Sequence, residues 1–114
     1  MDAAELILLY DYYGDLLTDR QKECFELRYN EDLSLGEIGD ELGISRQGVF
    51  DNLSRTEQLL KNMEQKTGCV RRDIACRKTT QVILELAKEL ADYQDNHVSV
   101  IAKQIISAAQ GLEE

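Results

Sequence analysis

Residues Ser34 to Leu60 read SLGEIGDELGISRQGVFDNLSRTEQLL, and the fold turns on this stretch. Its spacing predicts a helix-turn-helix: a first helix over about Leu35 to Leu42, a turn at Gly43, Ile44 and Ser45, and a second helix from Arg46. Ser34 and Glu37 form an S-x-x-E capping box, which satisfies backbone N–H groups that a helix start leaves without partners. Gly43 follows the last apolar residue of the first helix, where chains commonly turn through the left-handed conformation that glycine reaches without steric cost. Ser45 is a good N-cap for the second helix. Ile38 and Leu42 lie four apart on the first helix, Ile44 plugs the turn, and Val49, Leu53 and Leu60 share a face of the second. Gly39 falls where the two helices touch, and a small residue there lets the backbones approach. In this motif the second helix is the one that enters the major groove. The bland alternative is a helical hairpin in a bundle that meets no nucleic acid. The combined spacing of Ser34, Glu37, Gly39, Gly43, Ile44, Ser45 and Val49 is more specific than amphipathicity alone.

At about 100° per residue, with Val49 inward, Leu53, Thr56 and Leu60 lie near Val49. Gln47, Asp51, Ser54, Arg55 and Gln58 face outward. Arg46 sits beside the inner face, but in the first turn, where its long side chain can swing out. As base readers, Arg46 and Gln47 come first, because Arg pairs with guanine and Gln with adenine in bidentate fashion. Asp51 can accept from cytosine but repels phosphate. Ser54 and Arg55 suit backbone phosphates. Each of these residues has an equally simple reading as a solvated polar position. Gly48 is odd, since glycine inside a helix costs about 1 kcal/mol against alanine.

Charge pulls against nucleic acid. The 114 residues hold 13 Lys and Arg against 22 Asp and Glu, a net charge of -9. Residues 1–66 hold 7 basic and 15 acidic residues, so the acidity lies in the half that carries the motif. Nucleic-acid binders usually show a basic footprint, because phosphate neutralisation supplies most of the affinity. Binding through this motif therefore calls for a small local patch, a dimer or a partner.

The length allows one domain, or one domain with an appendage. The chain has no proline and only 6% aromatic residues, which suits an all-α fold. No run approaches the roughly 20 apolar residues of a membrane span, so no membrane insertion is expected. Asp2 and Glu5 stand where a secretory signal would be basic, and a cytoplasmic location is expected. The three cysteines, Cys24, Cys69 and Cys76, are odd in number and lack framework spacing, which favours reduced thiols.

Residues 2–13, DAAELILLYDYY, read as a helix with a broad apolar surface: Leu6, Leu9, Tyr10 and Tyr13 on one side, Ile7 and Leu8 at its edges. Its tyrosines are expected in a core or interface rather than stacked on bases. Gly14 should end that helix. Thr18 and Gln21 form a second capping box, with Asp19 complementing the helix dipole. Cys24, Phe25, Leu27 and Tyr29 supply the apolar positions of the helix that follows. Asn30, Glu31 and Asp32 break it, and Leu33 is placed to staple onto Ile38.

With these residues in view, the stretch Leu16 to Glu64 resembles the YlxM-type, or p13-like, helix-turn-helix proteins of the signal recognition particle operon. The matching runs are LLTDRQ, EDLSLGEIGDELGISRQGVFDN and RTEQLL. It is more distantly similar to region 4 of bacterial sigma factors, which share the LT-x-x-Q start, the E-I-x-x-x-L-G-I-S-R motif and a following V-x-x-x-L. The resemblance implies an all-α cytoplasmic regulator acting in the signal recognition particle pathway, with no catalytic residues to carry over. Arg46, Gln47, Asp51 and Asn52 fall on motif positions whose nucleic-acid role in the family is inferred. Gly39 and Gly48 stand where such proteins often have alanine. None of the matching runs falls in the last fifty residues.

That remaining segment starts with a helix end at Gln65 to Gly68. Cys69 to Lys78, CVRRDIACRK, holds Arg71, Arg72, Arg77 and Lys78 against one acid, Asp73, and is the only basic cluster. It suits a secondary phosphate contact, or else pairs with the acidic first half. A long helix is expected from about Asp73 to Tyr93, a break at Asp95 and Asn96, and a final helix over Val98 to Ala109. The organisation expected is thus a helix-turn-helix domain over 1–64 and a C-terminal helical extension over 65–114 that packs on the first domain or dimerises. A homodimer is favoured, since dimeric helix-turn-helix proteins read paired half-sites.

Catalysis has little support. His97 is the only histidine and falls in the break between helices. Cys69, Cys76 and His97 lack zinc-finger spacing, and no Gly-rich phosphate loop or nucleophile elbow is present. No cofactor and no metal are expected. The function expected is DNA or RNA binding through the Arg46 to Arg55 face. The alternative is an acidic module docking a basic partner, such as a signal recognition particle component.

Overall fold

The computed structural model describes residues 2–112; Met1, Glu113 and Glu114, at the outer ends of the two expected segments, lie outside the described residues. Among these the chain is all-α: α1 (Ala3–Tyr13), a 3-10 turn (Gly14–Leu16), α2 (Asp19–Tyr29), α3 (Leu35–Leu42), α4 (Arg46–Thr67), α5 (Cys69–Ala91) and α6 (Asn96–Gly111). It forms two compact units, Met1–Val70 and Arg71–Glu114.

The first unit is built around α4. Helices α1, α2 and α3 all pack on it. Near the C-terminal half of α4, Leu60 is fully buried among Leu6, Leu9, Tyr13, Leu17, Phe25 and Val70. Near the N-terminal half, Val49 is buried with Ile38 of α3 and Cys24 of α2. Thr56, buried between these two groups on α4, satisfies its hydroxyl by donating to the Asn52 carbonyl at 3.0 Å. Fully burying a residue such as Leu60 or Ile38 stabilises by about 1.5–3 kcal/mol each, so these contacts dominate the hold on α4.

Caps set the helix starts. The Asp2 carboxylate accepts from the Glu5 N–H at 2.8 Å. Both expected capping boxes are formed, Thr18 with Gln21 and Ser34 with Glu37. Leu33 packs against the Ile38 group, as a staple should. Gly14 does end α1, but in a right-handed conformation (φ -56) leading into the 3-10 turn. Its lack of a side chain serves the neighbouring ring: a Cβ there would sit 3.3 Å from Tyr10.

The α1 tyrosines are committed to the fold. Tyr10 stacks on Phe25 with centroids 4.3 Å apart and donates its hydroxyl to Glu26 at 2.8 Å. Tyr13 donates to Glu64 Oε1 at 2.7 Å and lies 2.6 Å from Thr67 Oγ1. Glu64 Oε1 also accepts from the Val70 N–H at 3.0 Å, so one carboxylate ties α1, the end of α4 and the first turn of α5 together.

Two helix starts differ from the sequence expectation, and the ends of the same helices fall at Ala91 and Gly111 rather than Tyr93 and Ala109. Helix α5 begins at Cys69, not near Asp73. Gly68, at φ 62, turns the chain within one residue, and Glu64 takes up an N–H of the new helix, so no longer link is needed. Helix α6 begins at Asn96, two residues before Val98, because the Asp95 carboxylate accepts from both the His97 and Val98 N–H groups. His97 is therefore an exposed residue in a helical first turn rather than in a break. In the second unit the buried positions are Thr80, Leu84 and Ala87 of α5 and Ala102 and Ala109 of α6.

Candidate nucleic-acid interface

The corner between α3 and α4 is built from backbone contacts. Gly43 takes the left-handed conformation (φ 72, ψ 32), and its N–H donates to the Gly39 carbonyl. The same carbonyl accepts from the Ile44 N–H at 3.0 Å. Gly39 is buried, and a Cβ on it would lie 2.6 Å from the Ile44 carbonyl oxygen. The Ser45 hydroxyl then accepts from the Gly48 N–H at 3.0 Å and starts α4. Arg20 donates to the Leu42 carbonyl at 3.4 Å, and Arg28 donates to the Leu33 carbonyl at 2.9 Å, so α2 braces both ends of α3.

Fixed in this way, α4 shows its outer side to solvent. Arg46, Gln47, Asp51, Ser54 and Arg55 are all exposed. Gln47, Asp51 and Ser54 lie within about 60° of one another around the helix axis, directly away from Val49. Arg55 borders this line about 40° beyond Asp51, whereas Arg46, exposed in the first turn, stands about 60° from Val49 on the other side; the two are nine residues or roughly 13 Å apart along the axis. Asn52 does not join them: it is half-buried, and its Oδ1 is enclosed with no hydrogen-bond partner among the described residues. It lies about 60° from Val49, toward the packed side. The Gln47 amide donates to Asp51 Oδ1 at 3.0 Å. That leaves its second N–H and its carbonyl oxygen to the outside.

Basic groups elsewhere in the first unit are largely engaged. Arg20 and Arg28 hold carbonyls, Lys22 lies 3.9 Å from Asp15, and Lys61 pairs with Glu57 at 2.9 Å. Arg46 and Arg55 make no ion pair or side-chain hydrogen bond among the described residues.

The structure adds Phe50, which sequence reasoning did not single out. Its ring is 53% exposed and, with Leu35, Arg46 and Gln47, lines a shallow depression beside the start of α4. The available signal was angular, since residue 50 stands a full 100° from Val49 and so off the buried stripe.

The second basic group sits on α5. Arg71, Arg72, Arg77 and Lys78 are exposed, and Arg77 pairs with Asp73 at 3.1 Å. Being helical, the segment spreads them around its axis: Arg71 and Lys78 share one edge, while Arg72 and Arg77 point about 100° and 240° from Arg71. They do not form a single stripe. Among the described residues no group of three or more His, Cys, Asp or Glu side chains is placed to hold a metal, and no helix is long and apolar enough to cross a membrane.

Comparison with known proteins agrees with the corner geometry. Residues 2–105 match the model of a family described as "Putative helix-turn-helix protein, YlxM / p13 like". A UPF0122 protein of Acetivibrio thermocellus is 40% identical over 106 residues, covering 93% of this chain and 88% of that protein. One of Bacillus cereus is 35% identical over 105 residues, covering 92% and 91%. One of Thermoanaerobacter is 57% identical over 67 residues, 59% of this chain, and the match spans 57% of that relative's length. The likeness therefore extends well beyond the Leu16 to Glu64 stretch that shows it most plainly, into the last fifty residues. With a matched span of 2–105 and two relatives aligned over nearly their whole length, this chain belongs to the YlxM / p13-like, UPF0122 family of helix-turn-helix proteins.

Proposed function

We propose that this protein binds nucleic acid, DNA in the first instance, through the outer side of α4, and acts as a regulator. The observation that carries this reading is the pair of exposed cations, Arg46 and Arg55, on either side of an exposed polar line, neither with an ion pair or side-chain hydrogen bond among the described residues, on a helix anchored by its other side. A helix lying in a major groove about 12 Å wide meets phosphates on both flanks, so one cation on each edge is the arrangement it needs. The free N–H and carbonyl of Gln47, steadied by Asp51, form the donor and acceptor pair that an adenine edge accepts. Phe50 suits the methyl group of thymine, and Ser54 a phosphate oxygen. Asn52, half-buried with its Oδ1 enclosed, is given no reading role. The net charge of -9 limits what one copy can contribute, which favours a homodimer presenting two such helices to paired half-sites. The exposed Cys76 thiol suits a reducing cytoplasm.

A second reading has one observation in its favour. Glu23, Glu26, Glu31 and Glu41 rim a shallow depression over Leu27 and Leu42 on α2 and α3. Such a surface suits a basic, partly apolar segment of a protein partner, and signal recognition particle components are the candidates that the family resemblance suggests.

Fluorescence anisotropy on a pool of duplexes, titrated with salt, tests the first reading. Binding should weaken steeply as salt rises, and Arg46→Ala with Arg55→Ala should lower the logarithmic salt slope by about 2 per copy. Binding that is absent, or indifferent to both substitutions, refutes it. Pull-down that survives nuclease but is lost on Glu23→Lys with Glu41→Lys favours the second.

A further inference from the structure

The depression beside the start of α4 brings three chemistries together. Phe50 and Leu35 give it apolar surface, Arg46 a guanidinium and Gln47 an amide. Counted from Val49, Arg46, Phe50 and Gln47 stand about 60°, 100° and 160° around the helix, so the ring lies between the cation and the amide. The packed aromatic residues of the first unit are used by the fold: Tyr10 stacks on Phe25, and Tyr13 is buried with its hydroxyl on Glu64. Phe50 has no such place, and more than half of its surface is open to solvent.

The charge around the ring is the reverse of the unit's average. The depression on α2 and α3 is rimmed by four glutamates. Among the described residues this one is lined by no carboxylate, and Arg46, its only charged side chain, makes no ion pair or side-chain hydrogen bond. A ligand that fits must carry negative charge, a hydrogen-bonding edge for Gln47, and an apolar group that stands out far enough to reach a shallow surface.

The major groove of DNA supplies all three, and the apolar group singles out one base. Of the four bases, thymine alone places an apolar group, its C5-methyl, on the major-groove edge. Gln47 and Phe50 are three residues apart, a rise of about 4.5 Å, and stacked base pairs are about 3.4 Å apart. An amide on adenine therefore sets the ring against the neighbouring pair. RNA fits poorly on two counts: uracil lacks the methyl, and the A-form major groove is too deep and narrow for side chains to read. Single strands are held by successive stacking rings, whereas Phe50 is the one aromatic residue lining this depression. We infer that Phe50 is a specificity-determining residue whose ring seats a thymine methyl, so that this face selects DNA over RNA and thymine over uracil. The inference rests on the proposed binding through α4 and names the substrate of that face.

Competition anisotropy on the full chain tests it, comparing an alternating adenine–thymine DNA duplex with the same duplex carrying deoxyuridine for thymidine, a change that removes only the methyl groups. The native chain should bind the thymine duplex about three- to tenfold tighter, the return on burying one methyl. Phe50→Ala should bring the two duplexes to within about twofold of each other by weakening the first. Gln47→Ala should weaken both and keep the preference. The native comparison needs no variant, so the test holds even where Phe50→Ala disturbs α4. Equal binding of the two duplexes with the salt dependence expected of Arg46 and Arg55, or a preference that survives Phe50→Ala, overturns the inference and leaves α4 as a nucleic-acid face. A uridine-rich single-stranded RNA bound as tightly as the thymine duplex overturns it too. Absence of binding to every nucleic acid removes the underlying reading as well.

Discussion

Replacing Gly39 by alanine tests the corner on which the α4 face depends. The added Cβ would stand 2.6 Å from the Ile44 carbonyl oxygen and 3.5 Å from the Ser45 carbonyl carbon, both backbone atoms. Neither can rotate away. Relief requires α3 and the start of α4 to separate, yet the Gly39 carbonyl accepts from both the Gly43 and Ile44 N–H groups and ties them together. Forcing an extra carbon into such a close contact costs about 1–3 kcal/mol. Against it stands a gain of about 1 kcal/mol, because alanine favours the helix over glycine. The balance is a loss of about 1 kcal/mol, which lowers the melting temperature of a unit this size by about 4–8 °C. Thermal and urea unfolding followed by far-ultraviolet circular dichroism measure it. Gly48→Ala is the control: its Cβ meets side-chain atoms alone, the Ser45 hydroxyl at 3.2 Å and Ile44 at 3.9 Å. It should raise stability by about 0.5 kcal/mol, most of the same helix gain surviving. If Gly39→Ala proves as stable as the native chain, or follows Gly48→Ala upward, the backbone approach at the corner is wrong and so is the placement of Arg46.

Two further outcomes follow from the same structure. Gly43→Ala should cost about 1–2 kcal/mol, since φ 72 is left-handed while nothing crowds the site; Gly43→Asn should recover part of that loss in the same unfolding assay. Burial, and next the hydrogen bond to Glu26, push the Tyr10 phenol from 10.0 up to about 12. A phenol raised on folding contributes stability that is complete below its unfolded value and is lost as pH climbs from about 10 through about 12. Urea titrations at stepped alkaline pH should therefore show falling stability in that window, and Tyr10→Phe should flatten the fall. Tyr13, raised in the same direction chiefly by burial, accounts for a residual slope.

Much of this was legible in the chain because it is local. A capping box needs only a hydroxyl and a carboxylate or amide three residues apart, so Ser34 with Glu37 and Thr18 with Gln21 could be read directly, and both are formed. The left-handed corner at Gly43 and the buried stripe of Val49, Thr56 and Leu60 follow from residue type and helical period alone. The start of α5 was less legible: it depends on Glu64, which accepts from the Val70 N–H and also from the Tyr13 hydroxyl of a distant helix.

By itself, then, the sequence determined the helix-turn-helix, its caps and the outward line of Gln47, Asp51 and Ser54, since periodicity and capping act within a few residues. Tertiary packing alone decided which basic side chains are spoken for. It turned Arg20 onto the Leu42 carbonyl, 22 residues along the chain, and gave Arg46 and Arg55 no ion pair or side-chain hydrogen bond among the described residues. It enclosed Asn52 and exposed Phe50. The physical reason is that a side chain's partners are set by whichever elements pack beside it, and those contacts span sequence separations that no local pattern records.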